Sequence, residues 1–460
     1  MPRPIHHIQP PTTTQPAALQ DDTWTTEVVP RLPADLALQA RALKAFQRKR
    51  CLPDPTLLLR ALLVYVLCLR SGRALGAWAV LLDLADISET AWRKRLRTAN
   101  AWLGWLLAEL LAPPPSPVPP APLPGTGRIL LSDATRLAQP AGTGDDWRLH
   151  TAYDLRAQRL THVTITDRHT VESLQHITCQ PGDILVGDAA YGKRRGIAHV
   201  VAQQGDVVVR LYPPHCALET VDGQRLDVLR WLHKQRGEVC SRACWVEWKG
   251  NRIALRLIAL RLPPEVAGAA RRRKQRRAKQ NGREATLATL EYAGWVLLLT
   301  TLAEAEWSDG DVARLYRARW QTELVYKRMK QVLELAQLRS KQREVVEATV
   351  RLLLIAWALQ EDEAGQVRAL LAQGLPVEVG VATEEPRIVS SWLLTVLCLE
   401  TLRGQVRGRW SAARLRACLP RLARYLCSRV RKRRPHQETE VRAWLAVREP
   451  VRARPRLMAA

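Results

Sequence analysis

The chain contains no run of eighteen or more apolar residues, so it offers no candidate for a membrane-spanning helix. Its first thirty residues hold Pro, Thr and Gln but no apolar h-region, and no secretory signal is expected. Acidic residues are scarce beside basic ones: 44 Asp+Glu against 70 Lys+Arg, for a net charge of +26. A surplus of that size needs a polyanion or an anionic surface as partner, and without a membrane segment the phosphate backbone of nucleic acid is favoured over lipid. A disulfide framework is also missing. The nine cysteines are odd in number and scattered through a long chain, and are expected to be reduced thiols. Cys240 and Cys244, with His233 or His215 upstream, lack a second paired half at zinc-finger spacing. No internal repeat is present, which excludes a solenoid.

What remains is a folded chain of several domains. A hydrophobic share of 47% over 460 residues is enough for two to four cores. Residues 1–30 read as a mobile arm. From 34 to 112 apolar residues recur at helical spacing, as in TLLLRALLVYVLCL and AWLGWLLAELL, so this region is expected to be helical. The stretch PPPSPVPPAPLPGTG (113–127) cannot continue a helix and reads as a stiff linker. Beyond it the texture changes to short β-rich runs bounded by Gly, Asp or Pro: RILLSD, RLHTAYDL, RLTHVTITD, DILVGD and DVVVRLY. Strands first in series and then alternating with a helix predict a mixed α/β sheet. Residues 213–284 are irregular, EYAGWVLLLTTL (291–302) returns to strand texture, and from 308 the helical period holds nearly to the end. Residues 401–460 carry 17 Arg+Lys against 3 Glu.

Two stretches bear on nucleic acid. RRRKQRRAKQNGR (271–283) has eight basic residues and no acid, and reads as a mobile phosphate clamp in preference to a folded reader or a solubility tail. In residues 71–103, Gly72 and the polar break at 86–88 mark helix ends. Ser88 suits the N-cap of a helix bearing Arg93, Lys94, Arg95 and Arg97. Helix, short turn and basic helix predict a helix-turn-helix with its second helix in a major groove. The alternative is a packing domain with a solvated basic face.

Three acids form the candidate chemical site. RILLSD and DILVGD each run a buried-type strand into an aspartate, Asp133 and Asp188, and a carboxylate fixed at a strand end is a rigid ligand position. A strand ending in Asp for turn formation alone is the plainer reading of either one. The third comes from SDGDVARLYRARWQTELVYKRMKQVLELAQL (308–338). At 100° per residue, Tyr316, Arg319, Glu323 and Lys330 fall within an arc of about 60° on one helical face. A solvated ion-pair stripe has the same pattern. Here the acid has apolar and aromatic neighbours and is outnumbered by cations, as a carboxylate near both a metal and phosphates requires.

The spacing Tyr-x2-Arg-x3-Glu-x6-Lys over Tyr316, Arg319, Glu323 and Lys330, with GDAAYG around Asp188 and SDAT at Asp133, resembles the DDE insertion-sequence transposases of the insertion-sequence-four branch. The resemblance covers residues 128–340 and extends loosely to the helical N-terminal region. Departures are the LLLTTL segment, where relatives often carry Thr-Asn, and the Ala189-Ala190 pair; neither touches the three acids.

The resemblance implies an α/β RNase H-like catalytic core with a β-rich insertion, flanked by N-terminal and C-terminal all-helical regions. The implied division is an arm and helical DNA-binding domain (1–112), the linker (113–127), the first part of the core (128–212), an insertion with the basic run (213–305), the core helix with the third acid (306–345) and a basic helical C-terminal region (346–460). It further implies that Asp133, Asp188 and Glu323 are catalytic and hold two Mg²⁺ ions, with Mn²⁺ substituting, for in-line phosphoryl transfer without a covalent protein intermediate. Tyr316, Arg319 and Lys330 would grip phosphates. Trp295 would meet an unstacked base; a core tryptophan is the alternative. The partners implied are double-stranded DNA, as transposon ends and as target, and a second copy in a homodimeric synaptic complex. The place implied is the bacterial cytoplasm, on the nucleoid. A non-catalytic DNA-binding descendant and a structure-specific nuclease on the same core are the rival readings.

Overall fold

The computed structural model describes residues 23–48, 51–112, 127–142, 146–372, 390–409, 418 and 421. The 113–127 linker, apart from residue 127, the arm apart from residues 23–30, and most of the basic stretch after 409 lie outside the described residues.

Among the described residues five α-helices precede the first strand: α1 (Leu36–Ala42), α2 (Pro55–Val64), α3 (Gly72–Leu81), α4 (Glu89–Thr98) and α5 (Asn100–Leu111). Local chemistry sets their starts. Asp54 accepts from the backbone N–H groups of Thr56 (2.7 Å) and Leu57 (3.1 Å), with Pro55 at the first helical position, where a missing N–H costs nothing. Ser71 caps α3, and Ser88 caps α4 through the Ala91 N–H at 3.2 Å, the capping that the sequence predicts.

The chain then lays down β1 (Ile129–Leu137), β2 (Trp147–Asp154), β3 (Arg159–Asp167), β4 (Ile184–Gly187), α6 (Arg194–Ala202) and β5 (Asp206–Arg210). There follow α7 (Val228–His233), β6 (Val239–Trp248), β7 (Asn251–Arg261), α8 (Pro264–Gln280), α9 (Leu287–Tyr292) and β8 (Trp295–Thr300). All eight strands join one mixed sheet in the order β3-β2-β1-β4-β5-β8-β7-β6. β1, β4 and β5 run parallel and every other pairing is antiparallel. This is the mixed α/β sheet expected. The central strands are apolar because both of their faces are covered: Leu131, Val186 and Val208 enter one core, while Leu130, Leu185 and Val207 enter the other.

The 213–305 segment does not form a sheet of its own. β8 pairs with β5, so the β6–β7 hairpin extends the main sheet. Its basic run also departs from expectation, since 271–280 lies on the helix α8 and is not a mobile clamp. The physical reason is local. Pro264 opens the helix, Glu265 sits in its first turn, Ala, Lys, Arg and Gln are strong helix formers, and Arg271 Nε donates to the Leu290 carbonyl at 3.2 Å.

The last helices are α10 (Asp309–Ala318), α11 (Trp320–Gln331), α12 (Arg343–Ala372) and α13 (Ser391–Arg407). α12, about 45 Å long at 1.5 Å per residue, packs on α5 and against β3. Its Trp357, Leu354 and Ile355 enter the same core as Trp24, Trp78 and Trp102 of the N-terminal region. Trp102 Nε1 donates to the Leu36 carbonyl, and the buried Arg60 donates to the Val406 carbonyl at 2.9 Å. No helix among the described residues is long and apolar enough to cross a membrane.

Edge strand β3 is tied to α12 by one buried acid. Glu361 accepts from the Leu160 N–H at 3.0 Å, and burial pushes its carboxyl up to about 7. The folded chain therefore holds a proton that the unfolded chain has lost, and stability falls as pH rises from the ordinary glutamate range to about 7. Between pH 5 and pH 8 the native protein is expected to lose on the order of 3 kcal/mol that Glu361→Gln keeps. Urea unfolding of both proteins at the two pH values measures it; equal losses would show that Glu361 does not titrate in this way.

Candidate active site

Backbone register brings the first two acids together. The last parallel pair between β1 and β4 is Ser132 with Gly187, so Asp133 and Asp188 are the next residues of neighbouring strands running the same way. Asp188 lies in the turn after β4, where its Oδ1 accepts from the Ala190 N–H at 2.8 Å. Asp133 lies within β1, its Oδ1 accepting from the Ala134 N–H at 2.8 Å.

The third acid arrives on α11, and the helical face expected from Tyr316 to Lys330 is not continuous. The helix is interrupted at Arg319, where hydrogen bonds tighten to three residues: Arg319 N–H to the Tyr316 carbonyl, and Thr322 N–H to the Arg319 carbonyl. α10 and α11 are thus separate elements, although Arg319 keeps right-handed helical backbone angles and meets Glu323 at i,i+4 spacing. Arg319, at the joint, bridges the acids. Its Nη2 lies 2.8 Å from Glu323 Oε1 and its Nη1 3.5 Å from Asp133 Oδ2. The Glu323 side chain remains 49% exposed against 17% for Asp133, so the guanidinium ties a solvated carboxylate to a covered one.

Two residues that sequence reasoning passed over anchor Asp133. The Thr322 hydroxyl lies 3.2 Å from Asp133 Oδ2, and the Tyr326 hydroxyl donates to the Asp133 carbonyl at 2.8 Å, with Thr151 of β2 at 2.6 Å. The signal was present: Thr322, Tyr326 and Met329 repeat at helical spacing and form the buried stripe of α11. Glu172 was missed as well. It lies within electrostatic reach of Asp188, and burial foremost, then Asp188, raises its carboxyl. Nothing in the loop around it marks it in the sequence.

Burial pushes the Asp133 carboxyl up to about 6, and Asp188 adds to the rise, while the Ala134 N–H, Arg319 and Thr322 oppose it. Lys330, half-buried on the last turn of α11, is held below the usual lysine range by burial, with Asp133 pulling the other way. Asp133, Asp188, Glu323, Arg319 and Lys330 thus share one electrostatic neighbourhood. Tyr316 acts on Arg319 from α10, where its ring packs against the core. Trp295 stands on β8 at 7% exposure, in the core of the opposite sheet face, with the Arg261 guanidinium 4.2 Å from its ring centroid. The cations of α4 belong to a different surface: Arg93, Lys94 and Arg97 are exposed and Arg95 half-exposed, while Trp92 and Leu96 face inward.

Among the described residues no three His, Cys, Asp or Glu side chains stand together as a metal-holding group. The donor chemistry of the Asp133–Asp188 pair nevertheless suits a hard divalent cation. Of two carboxylates on adjacent strands, one is pushed toward its neutral form by burial first and by its neighbour second, and the Arg319 guanidinium reaches it only at 3.5 Å.

Residues 124–359, just over half the chain, match the family described as the transposase DDE domain. InsL of insertion sequence element IS186A, from Escherichia coli strain K12, is 36% identical over 342 residues, covering 72% of this chain and 90% of that protein. The transposase for insertion sequence element IS421, from Escherichia coli, is 36% identical over 343 residues, with the same coverage of both chains. With the family matched over β1 to α12 and the relatives spanned almost from end to end, the chain belongs to the DDE transposases.

Proposed function

We propose that this DNA transposase cuts and joins the ends of its insertion sequence with Asp133, Asp188 and Glu323 as the acting carboxylates. The observation that carries the reading is the juxtaposition of Asp133 and Asp188 by parallel register, with Glu323 linked to them through Arg319. The strand order β3-β2-β1-β4-β5 supports an RNase H-like core, and the Tyr316, Arg319, Glu323 and Lys330 spacing supports the insertion-sequence-four branch. Flanking helical regions on both sides, divided from the core near 113–127 and 346, complete the proposed domain plan, and a homodimer in the bacterial cytoplasm, on the nucleoid, the proposed setting.

DDE transposases generally use divalent metal ions. We assign the three carboxylates to two Mg²⁺ ions, which Mn²⁺ would replace; when bound, such ions stabilise charge on the attacking and leaving oxygens of a phosphoryl transfer. In the first reaction water attacks a phosphodiester at the transposon end, the phosphorus–O3′ bond breaks, and a 3′-OH is freed. In the second that hydroxyl attacks target DNA, one phosphodiester replacing another. The protein's part is positioning. Thr322 and Tyr326 fix Asp133, while Arg319 and Lys330 exchange carboxylate neighbours for DNA phosphates and hold the strand in line. Tyr316 supports Arg319. A base contact by Trp295 requires Arg261 to leave its ring. Arg93, Lys94, Arg95 and Arg97 on α4 are assigned to the transposon end.

Asp133→Ala, Asp188→Ala and Glu323→Ala are each expected to reduce cleavage of labelled end DNA to below a few per cent while end binding stays within a few-fold. Cleavage above that level in one variant removes that residue from the site.

Arg319→Ala separates positioning from metal binding. It removes the cation that competes for Asp133 and Glu323, so calorimetry should show Mg²⁺ binding at least as tight as in the native protein. Cleavage should still fall about 100-fold through lost alignment, and Arg319→Lys should not restore it, because a point charge does not replace a bidentate fork. Loss of metal binding in Arg319→Ala would contradict the assignment.

α8 presents an unbroken cationic surface suited to phosphates. Replacing Arg272, Arg273, Arg276 and Arg277 with Gln should flatten the dependence of DNA affinity on salt by up to about 0.9 log units per lost contact, with sequence preference intact. An unchanged slope would leave α8 without a DNA contact.

A further inference from the structure

A cavity of about 340 Å³ opens between the N-terminal helices and the segment that leads from α11 into α12. Its floor is apolar, made by Leu62, Leu75 and Val345. Its walls carry Arg93 of α4 with Arg339 and Lys341 of the 339–342 segment, against the single acid Glu89. Between floor and cations stands Tyr65. Burial raises its phenol, Arg339 and Arg93 oppose the rise, and Glu89 adds to it, so all three ions act on the same ring. Trp92, which also lines the cavity at 2% exposure, keeps a buried indole N–H with no acceptor. Arg93 is held by Glu89 at 3.1 Å, but that pair is exposed and contributes little, so the guanidinium is easily transferred to another anion.

These features call for a ligand with an anionic part and a flat apolar part. The phosphates of an intact duplex lie on a convex surface and reach the cations but not the floor. The volume is at the lower end of the range for small-molecule sites, about 300–1,000 Å³, which suits one nucleotide. Arg93 links the cavity to the basic helix α4, which also carries Lys94, Arg95 and Arg97. We propose that the cavity receives one DNA nucleotide turned out of its stack, its phosphate held by Arg93, Arg339 and Lys341 and its base laid on Tyr65 over the apolar floor. The inference rests on the reading of α4 as a DNA-binding helix. It places a base-holding site on the N-terminal helices, lined by residues other than Trp295.

The test uses the full chain and duplexes of its own element ends with a single base left unpaired, by a mismatch or by an abasic site opposite it, at a position moved along the sequence. An unstacked nucleotide is most easily presented where pairing is already lost, so one position next to the α4 footprint should bind about tenfold more tightly than the paired duplex. The same position should become reactive to permanganate when it is a thymine. Ser340→Trp fills the cavity from its rim, and Lys341→Ala removes a phosphate contact; in both, the ratio of unpaired to paired affinity should fall toward one. A ratio near one at every position in the native protein overturns the proposal. So does a ratio unchanged in both variants. Thymidine monophosphate is titrated in parallel, and saturation by it without any positional preference on DNA would mean a free-nucleotide site and also overturn the proposal. Failure of the underlying reading is distinguishable: a variant with Arg93, Lys94, Arg95 and Arg97 all changed to Ala would then bind paired end DNA as the native chain does.

Discussion

The parallel pairing of β1 with β4 is the constraint on which the rest depends. It holds four residue pairs, from Ile129 with Ile184 to Ser132 with Gly187, and every one of these side chains is buried. A shift of one residue would send Asp133 to the opposite face of the sheet and separate it from Thr322 and Tyr326. Because apolar residues line both faces of β1 and β4, register is fixed by two cores at once. The carboxylates therefore sit side by side at the cost of mutual repulsion, which the hydrophobic packing beneath them outweighs.

That repulsion explains the cations around the site. Asp133 is covered, beside another acid and near a third, and such a group drifts toward its neutral form unless positive charge approaches. Arg319 is able to approach because the helix is interrupted at its position, so one guanidinium spans Asp133 and Glu323. Lys330 approaches from the other end of α11. The same side chains that balance the acids without substrate are the ones with reason to meet phosphates, since a cation shared among carboxylates passes readily to a stronger anion.

Much of this was legible in the residues. The apolar runs leading into Asp133 and Asp188, the Ser88 cap and the spacing of Arg319, Glu323 and Lys330 are local patterns that survive folding, although β1 does not end at Asp133 but runs on to Leu137. What escaped was decided by tertiary contact. The helix break at Arg319 has no Pro or Gly to announce it. Thr322 and Tyr326 read as ordinary helix residues until β1 is set beside them. The basic run at 271–280 read as a mobile phosphate clamp, yet helix-forming side chains and the contact with Leu290 were sufficient to fold it. Trp295, ambiguous in sequence, lies in a core.

The long helix α12 has a consequence for the order in which the protein matures. Trp357 and its neighbours join a core that begins at Trp24 and runs on to Val406 of α13, so the N-terminal helices emerge from the ribosome hundreds of residues before their packing partners. β5 likewise waits as an open sheet edge until β8 is made, and non-local pairings of this kind form slowly. A growing chain thus acquires basic helices first, the aspartate pair next, Glu323 later and a closed core last. Competence to cut is the final property synthesis confers, and an unfinished chain holds exposed positive charge without the means to break a strand.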